Sequence, residues 1–144
     1  MTDAVVTSSD GIPCFSITAK EEARNGVPML GALIVSDLSV RPVKKVWSFF
    51  LPSTTQLPIH AASCIRYGEL PTMANGISPG KLITGHFYSV FLNGRPKDPS
   101  DPTYGYKGKF CIATKADGGQ QVIAITSDMP AWRDEVCASA PPPQ

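Results

Sequence analysis

The chain has 144 residues, and its 13 basic and 12 acidic side chains leave a formal net charge of +1. This length suits one domain that buries a core without the help of a metal. The near balance of charge provides no basic field for a phosphate backbone, so we expect no nucleic acid partner. No apolar run approaches the length that crosses a bilayer, and we expect no membrane span.

Turn-forming residues divide the chain into short intervals. The 14 prolines and 12 glycines leave room for strands but not for long helices. We expect residues 1–10 to be a disordered N-terminal segment, residues 11–138 to be a single domain, and residues 139–144 to be a disordered tail.

The predicted elements follow one another as short strands. Residues 12–19 begin the series, and a single helical turn is expected in 20–26. Residues 29–37 and 43–51 are apolar runs that predict a hairpin around the turn at Pro42. A short strand is expected in 61–67, and in 86–92 alternate residues face opposite sides of a sheet.

The C-terminal third predicts a second hairpin and a short helix. Residues 109–114 and 121–126 flank Asp117-Gly118-Gly119, which tolerates the positive φ of a tight turn. Pro130 favours a helical start. Together the elements predict an all-β protein, an immunoglobulin-like β-sandwich of about seven short antiparallel strands with one or two short helical turns.

The four cysteines are even in number and contain no CxxC pair. This pattern favours widely spaced disulfides over a zinc or thioredoxin-like site, and it indicates an oxidising compartment. The alternative is a cytosolic protein with four reduced thiols. Four cysteines allow three pairings, among which spacing does not decide. We favour Cys14 with Cys64 and Cys111 with Cys137.

Catalytic and cofactor motifs are absent from the sequence. No nucleophile elbow, zinc-protease motif, phosphate loop or dinucleotide fingerprint occurs. His86 heads an aromatic strand, where a structural imidazole is commoner than a catalytic base. We therefore predict no catalytic residue, no metal and no cofactor.

One connection is too long for a hairpin turn and too polar for a core. It runs from Arg95 to Lys109, and its three prolines restrict its freedom, which lowers the entropy lost on binding. Its tyrosines add large amphipathic contact area of the kind found at interface centres. The candidate partner-binding residues are Asp98, Asp101, Tyr104, Tyr106 and Lys107, with Tyr67, Glu69 and Leu70 from the 66–81 segment. The alternative is an ordinary solvated surface connection with one tyrosine packed on the core.

Five fragments carry a resemblance to a known family: G-x-P-C-F-S-I, V-W-S-F-F, S-C-I-R-Y-G-E-L-P, P-G-K-L-x-x-G-H-F-Y-S-V-F-L and Y-K-G-K-F-C-I. In this order they resemble small periplasmic or lipoprotein immunity proteins of bacterial type VI secretion systems, over residues 11–113. The segment from Ala116 onward extends past the similar region.

The resemblance implies an exported β-sandwich that binds a cognate toxin delivered into the periplasm. Such a protein blocks the active-site cleft of a cell-wall- or lipid-degrading effector and performs no chemistry itself. It implies a periplasmic location, with a leader or lipid anchor preceding residue 1.

Two other functions compete with the inhibitor. One is a small secreted hydrolase that uses Cys64 or His86. The alternative that we rank second is a small secreted carbohydrate- or peptide-binding β-sandwich module, with Trp47 or Trp132 as a stacking platform.

Overall fold

The computed structural model describes residues 2–95 and 105–137. Strands dominate these residues, which confirms the all-β prediction. The strands are β1 Thr2–Ser9, β2 Ile12–Ile17, β3 Met29–Asp37, β4 Lys44–Phe50, β5 Leu57–Pro58, β6 Ile65–Arg66, β7 Asn75–Gly76, β8 Phe87–Arg95, β9 Tyr106–Thr114 and β10 Gln120–Ile125; the helices are α1 Ala19–Asn25 and α2 Pro130–Asp134.

The strands form one curled, mixed sheet in the order β6-β2-β1-β9-β8-β3-β4-β7, with β10 also on β9 and β5 also on β3. Both predicted hairpins, β3–β4 and β9–β10, are present and antiparallel. The pairing of β1 with β9 is parallel. One hydrogen-bonded path therefore joins all the strands, and an immunoglobulin-like sandwich of two separate sheets is not confirmed.

Residues 2–9 are the first strand of the domain, which corrects the expectation of a disordered segment before residue 11. β1 pairs with β2 from Ala4 to Ser9 and with β9 through Thr2 and Asp3. The Thr2 amide also donates to the Gly105 carbonyl at 3.1 Å. The polar composition of this stretch concealed a strand that is held by backbone pairing on both sides.

After Asp3, β1 leaves the edge of β9, and β10 occupies that edge from Lys109 onward. The β1–β2 hairpin then packs on the inner face of the curled sheet, where the rings of Phe15 and Phe110 lie 5.8 Å apart. Gly108 permits the crossing, since a Cβ there would lie 3.0 Å from Val6 Cγ2.

Alternate residues of β8 serve the two faces, as the sequence predicts. Tyr88, Val90 and Leu92 belong to the main core on the inner face, which also contains Trp47. Phe87 belongs to a second, smaller cluster with Cys111 and Ile125. Trp132 of α2 packs against this second cluster, so the outer face carries a core of its own.

Candidate partner-binding surface

The cysteines pair as we favoured. Cys14 bonds Cys64 with the Cα atoms 5.4 Å apart, and Cys111 bonds Cys137 with the Cα atoms 5.6 Å apart. The first disulfide ties β2 to the segment before β6, and the second ties β9 to the chain after α2. No free thiol remains, and two disulfides are compatible with an oxidising, extracytoplasmic location.

The structure shortens the connection predicted from Arg95 to Lys109. Arg95 ends β8, and residues 106–109 already belong to β9. Asp98, Asp101 and Tyr104 lie outside the described residues. Tyr106 is fully buried in the main core, whereas Lys107 is partly exposed. In this arrangement Tyr106 supports the sheet from within rather than facing a partner.

Tyr67 anchors the base of the 66–81 segment. Its hydroxyl donates to the Gly80 carbonyl at 2.7 Å, so the two ends of the segment are joined by one side chain. Its ring meets Trp47 edge-on at 5.3 Å between centroids. Burial of the hydroxyl raises the pKa of Tyr67 to about 12. Tyr67 therefore positions the segment, while its neighbour Glu69 is exposed.

Backbone hydrogen bonds hold the rest of the segment along β4. Asn75 and Gly76 pair with Phe50 and Phe49, and the Ile77 amide donates to the Ser48 carbonyl at 3.0 Å. The approach is too close for a side chain at Gly76, where a Cβ would lie 2.6 Å from the Ser48 oxygen. The segment is thus braced against the sheet at its middle as well as at its base.

A tight turn precedes this pairing. The Ala74 amide donates to the Pro71 carbonyl at 3.1 Å. Within the turn Met73 has a φ of 69°, in the left-handed region that disfavours a non-glycine residue. Strain of this kind is retained where the surrounding structure imposes it, and it tends to occur at functional sites.

Four large apolar side chains surround β7 and are exposed. Phe50 is 57% exposed, Leu70 50%, Met73 68% and Ile77 48%. They flank β7 on both of its faces: Phe50 is opposite Asn75 in the register, whereas Leu70 Cδ1 is 3.0 Å from the Cβ position of Gly76, on the side of Phe49. We call Phe50, Leu70, Met73 and Ile77 the apolar edge.

Of this surface the sequence predicts only Leu70, with its neighbours Tyr67 and Glu69. It does not predict Phe50, Met73 or Ile77. The available signal was the presence of large apolar residues in a segment rich in proline and glycine, where no predicted strand buries them. Phe50 gave no such signal, because it ends an apolar strand.

A polar cluster away from the apolar edge is formed by Asp37, His86 and Ser39. His86 Nδ1 lies 2.7 Å from Asp37 Oδ2, and the other Asp37 oxygen accepts the Ser39 amide at 2.9 Å. The Ser39 hydroxyl in turn accepts the Phe87 amide at 2.8 Å. These bonds fasten the turn after β3 to the start of β8, which gives His86 the structural role expected from the sequence.

The two tryptophans have different environments. Trp47 is fully buried in the main core and offers no stacking face. Trp132 is partly exposed and packs on the second cluster. Of the two stacking platforms considered for a binding module, the described structure leaves only Trp132 accessible.

No protein-family model, no curated protein and no solved structure matches this chain. In residues 2–95 and 105–137, no helix is both long and apolar enough to cross a membrane. The same residues contain no group of three or more His, Cys, Asp or Glu side chains placed to hold a metal. The surface of the chain itself therefore provides the structural basis for its function.

Proposed function

We propose that this protein is an immunity protein that binds and inhibits a cognate antibacterial effector of a type VI secretion system in the periplasm. The resemblance of residues 11–113 to that family suggests the class of partner. The protein acts by occluding the active site of a cell-wall- or lipid-degrading toxin, and it catalyses no reaction itself.

The apolar edge is the observation that carries the proposal. Scattered apolar residues are normal on a protein surface, but a contiguous group of large ones marks an interaction site. Four such side chains flank one short strand at the rim of the sheet, with Phe50 and Leu70 on its opposite faces. A projecting rim of this kind suits insertion into a concave partner, such as the cleft of an enzyme.

Bracing of the segment adds affinity. The Tyr67 hydrogen bond, the β4–β7 pairing and the nearby Cys14–Cys64 disulfide fix the segment before a partner arrives. Because little conformational entropy remains to be lost on association, more of the interaction energy contributes to affinity. Glu69 lies at the margin of the apolar edge, where an exposed charge affects the association rate more than the affinity.

Two finer predictions belong to the same proposal. The periplasmic location is supported by the disulfides and by the resemblance. The immunoglobulin-like arrangement is supported by the β1–β2 hairpin, which lies over the inner face of the sheet and gives the core a two-layered section there. Asp98, Asp101 and Tyr104, which lie outside the described residues, remain predicted contacts in addition to the apolar edge.

The test measures inhibition of the toxin encoded by the adjacent gene. The double variant Leu70→Asp/Met73→Asp places two charges on the apolar edge, where burial in a complex would desolvate them. We expect the Kd for the toxin to rise about 100-fold, or about 2.7 kcal/mol, with a matching loss of neutralisation. The matched control is Val43→Asp/Met129→Asp, at two residues that are similarly exposed elsewhere; its Kd should stay within a factor of about 3 of the wild-type value.

The possible outcomes distinguish a wrong binding site from a wrong function. If the toxin binds the Leu70→Asp/Met73→Asp variant normally but not an Asp98→Ala/Asp101→Ala/Tyr104→Ala variant, the function stands and the apolar edge is not its site. If the wild-type protein neither binds nor inhibits the adjacent gene product, the inhibitor proposal is wrong.

A further inference from the structure

A small cavity lies where β1 leaves the edge of β9 and β10 takes its place. It has a volume of about 170 Å³. The divergence follows from the register, since β1 pairs with β9 only as far as Asp3 and β10 occupies the edge thereafter. The walls are mostly aliphatic and come from Ala4, Val5, Val6, Ala124 and Ile125.

Lys109 contributes the one basic group that lines this cavity. The residue is 5% exposed, and its ammonium donates to the Trp132 carbonyl at 2.8 Å and lies 3.8 Å from Glu135 Oε1. The ammonium also lies 4.9 Å from the centroid of the Trp132 ring and 6.0 Å from that of the Phe87 ring. One of its three N–H donors bonds the Trp132 carbonyl, and these longer contacts are not hydrogen bonds. Desolvation lowers the pKa of Lys109.

A second, more open hollow adjoins the cavity and has a volume of about 280 Å³. The two share Ser127 and Trp132 in their walls. Asp128 and Arg133 give the open hollow polar walls. At the mouth of the enclosed cavity the Ser127 hydroxyl donates to Asp3 Oδ2 at 2.6 Å. A partly exposed indole therefore separates an aliphatic compartment from a polar one.

We propose that these two compartments bind an N-acetylated hexosamine. The sugar ring occupies the open hollow, with its C–H face on Trp132 and its hydroxyls toward Asp128 and Arg133. The acetamido group enters the enclosed cavity. Its methyl meets the aliphatic walls, its carbonyl accepts a second Lys109 N–H, and its N–H donates to Asp3.

Other small ligands satisfy fewer of these groups. A carboxylate meets Asp3 and Glu135 as well as Lys109, so two like charges oppose one unlike charge. A purely apolar ligand leaves the Lys109 donor unsatisfied in a dry site. A hexose without the acetamido group leaves the aliphatic cavity unfilled. The enclosed volume is below the roughly 300 Å³ at which drug-sized pockets begin, which restricts the guest to a small group.

Titration with N,N′-diacetylchitobiose, followed by tryptophan fluorescence, tests the assignment. Trp47 is fully buried, so a change on binding reports on Trp132. We expect saturable binding, at least about 10-fold tighter than for cellobiose, which has the same linkage without acetamido groups. Equal binding of the two disaccharides, or no binding of either, would overturn the proposal.

Cavity and platform variants locate the site. Ala124→Leu fills the enclosed cavity with apolar volume, and Trp132→Ala removes the platform; binding of the acetylated disaccharide, followed by calorimetry, should fall at least about 10-fold in each. Far-UV circular dichroism checks that each variant is folded. If Trp132→Ala does not fold, Ala124→Leu alone still tests the site. The control is Ile83→Ala, which should bind the disaccharide normally because Ile83 lines neither hollow.

Two further experiments distinguish this site from the apolar edge and the hexosamine from another acetamido ligand. Leu70→Asp/Met73→Asp should bind the sugar normally, because it alters the other surface. A peptide that carries N-acetyl-lysine presents the same acetamido group without a sugar ring. Binding of that peptide in place of the disaccharide would contradict the hexosamine assignment.

Discussion

Two regions of this protein are each fastened to the sheet by a disulfide, yet they orient their apolar residues in opposite directions. The 66–81 segment, beside Cys14–Cys64, leaves Leu70, Met73 and Ile77 in solvent. The C-terminal segment, held by Cys111–Cys137, covers Phe87 and Ile125 with α2.

The two disulfides stabilise conformations of different kinds. At the C-terminal segment the disulfide assists a burial that the apolar residues favour in any case. At the 66–81 segment it assists a conformation that burial disfavours, because large side chains are kept in water next to a strained turn. A conformation retained against that cost is the stronger candidate for selection by function.

Loss of the disulfides should have the largest effect. Cys14→Ala/Cys64→Ala opens a closure of 50 residues, and Cys111→Ala/Cys137→Ala opens one of 26. The chain-entropy relation gives about 4 kcal/mol for the first and about 3.5 kcal/mol for the second. Urea unfolding of both variants measures these values. A larger loss from the C-terminal pair would mean that the two regions contribute to stability in the reverse order.

Gly76→Ala breaks the bracing of the 66–81 segment without touching a disulfide. The added methyl lies 2.6 Å from the Ser48 oxygen and 2.8 Å from Phe49 Cβ, so β7 must move off β4. We expect a loss of about 1–3 kcal/mol in the free energy of unfolding. Gly80→Ala is the control in the same segment, since its methyl would lie at an ordinary 3.4 Å from the Val46 oxygen. Equal losses in the two variants would refute the close-approach argument.

Tyr67→Phe removes the hydrogen bond at the base of the segment, at a cost of about 1 kcal/mol at neutral pH. The raised pKa of about 12 adds a pH dependence. Above pH 10 the unfolded chain ionises Tyr67 while the folded chain retains the proton, so wild-type stability falls as the pH rises toward 12. Thermal unfolding between pH 9 and pH 11 should show a smaller decline in Tyr67→Phe; parallel curves would contradict this.

Lys109→Met tests the C-terminal region. There the pH dependence of stability should have the opposite sign to that of Tyr67, and the effect on stability should be the smallest of these. The folded-state pKa of Lys109 is lowered, so below it the unfolded chain binds the proton more tightly and folding carries a penalty. That penalty is lost as the pH rises toward the ordinary value of 10.5. The wild-type protein should therefore gain stability relative to Lys109→Met between pH 8 and pH 10. A constant difference would show that Lys109 titrates alike in both states.

Local patterns predicted most of the strands. Both hairpins and the alternation in β8 follow from turn chemistry and apolar periodicity, which act over short stretches of chain. The disulfide pairing is the one that we favoured, although spacing does not decide among the three. Two elements did not follow in this way. β1 is a polar stretch stabilised by partners more than 100 positions away in β9, and the 61–67 run shrank to Ile65–Arg66 because only two residues pair with β2.

The candidate surface was only partly accessible to sequence reasoning. Tyrosines and charges suggested an interface, yet Tyr106 is buried, since the strand register decides which side of the sheet its ring faces, and Tyr67 is half-buried against Trp47. The apolar edge forms because residue 76 is glycine, whose lack of a side chain allows β7 to lie against β4. A glycine in a loop carries no sign of such a contact.

The Cys14–Cys64 bond has one sulfur in the core and one at the surface, since Cys14 is fully buried and Cys64 is exposed. A small thiol can therefore reach only the outer sulfur, and Cys14 must then depart as a thiolate among apolar neighbours, where that anion is poorly stabilised. Cys14 remains beside the mixed disulfide, and its thiolate can attack the Cys64 sulfur and release the small thiol. The bond should consequently repair itself after encounters with glutathione-like reductants, and its loss should await unfolding of β2.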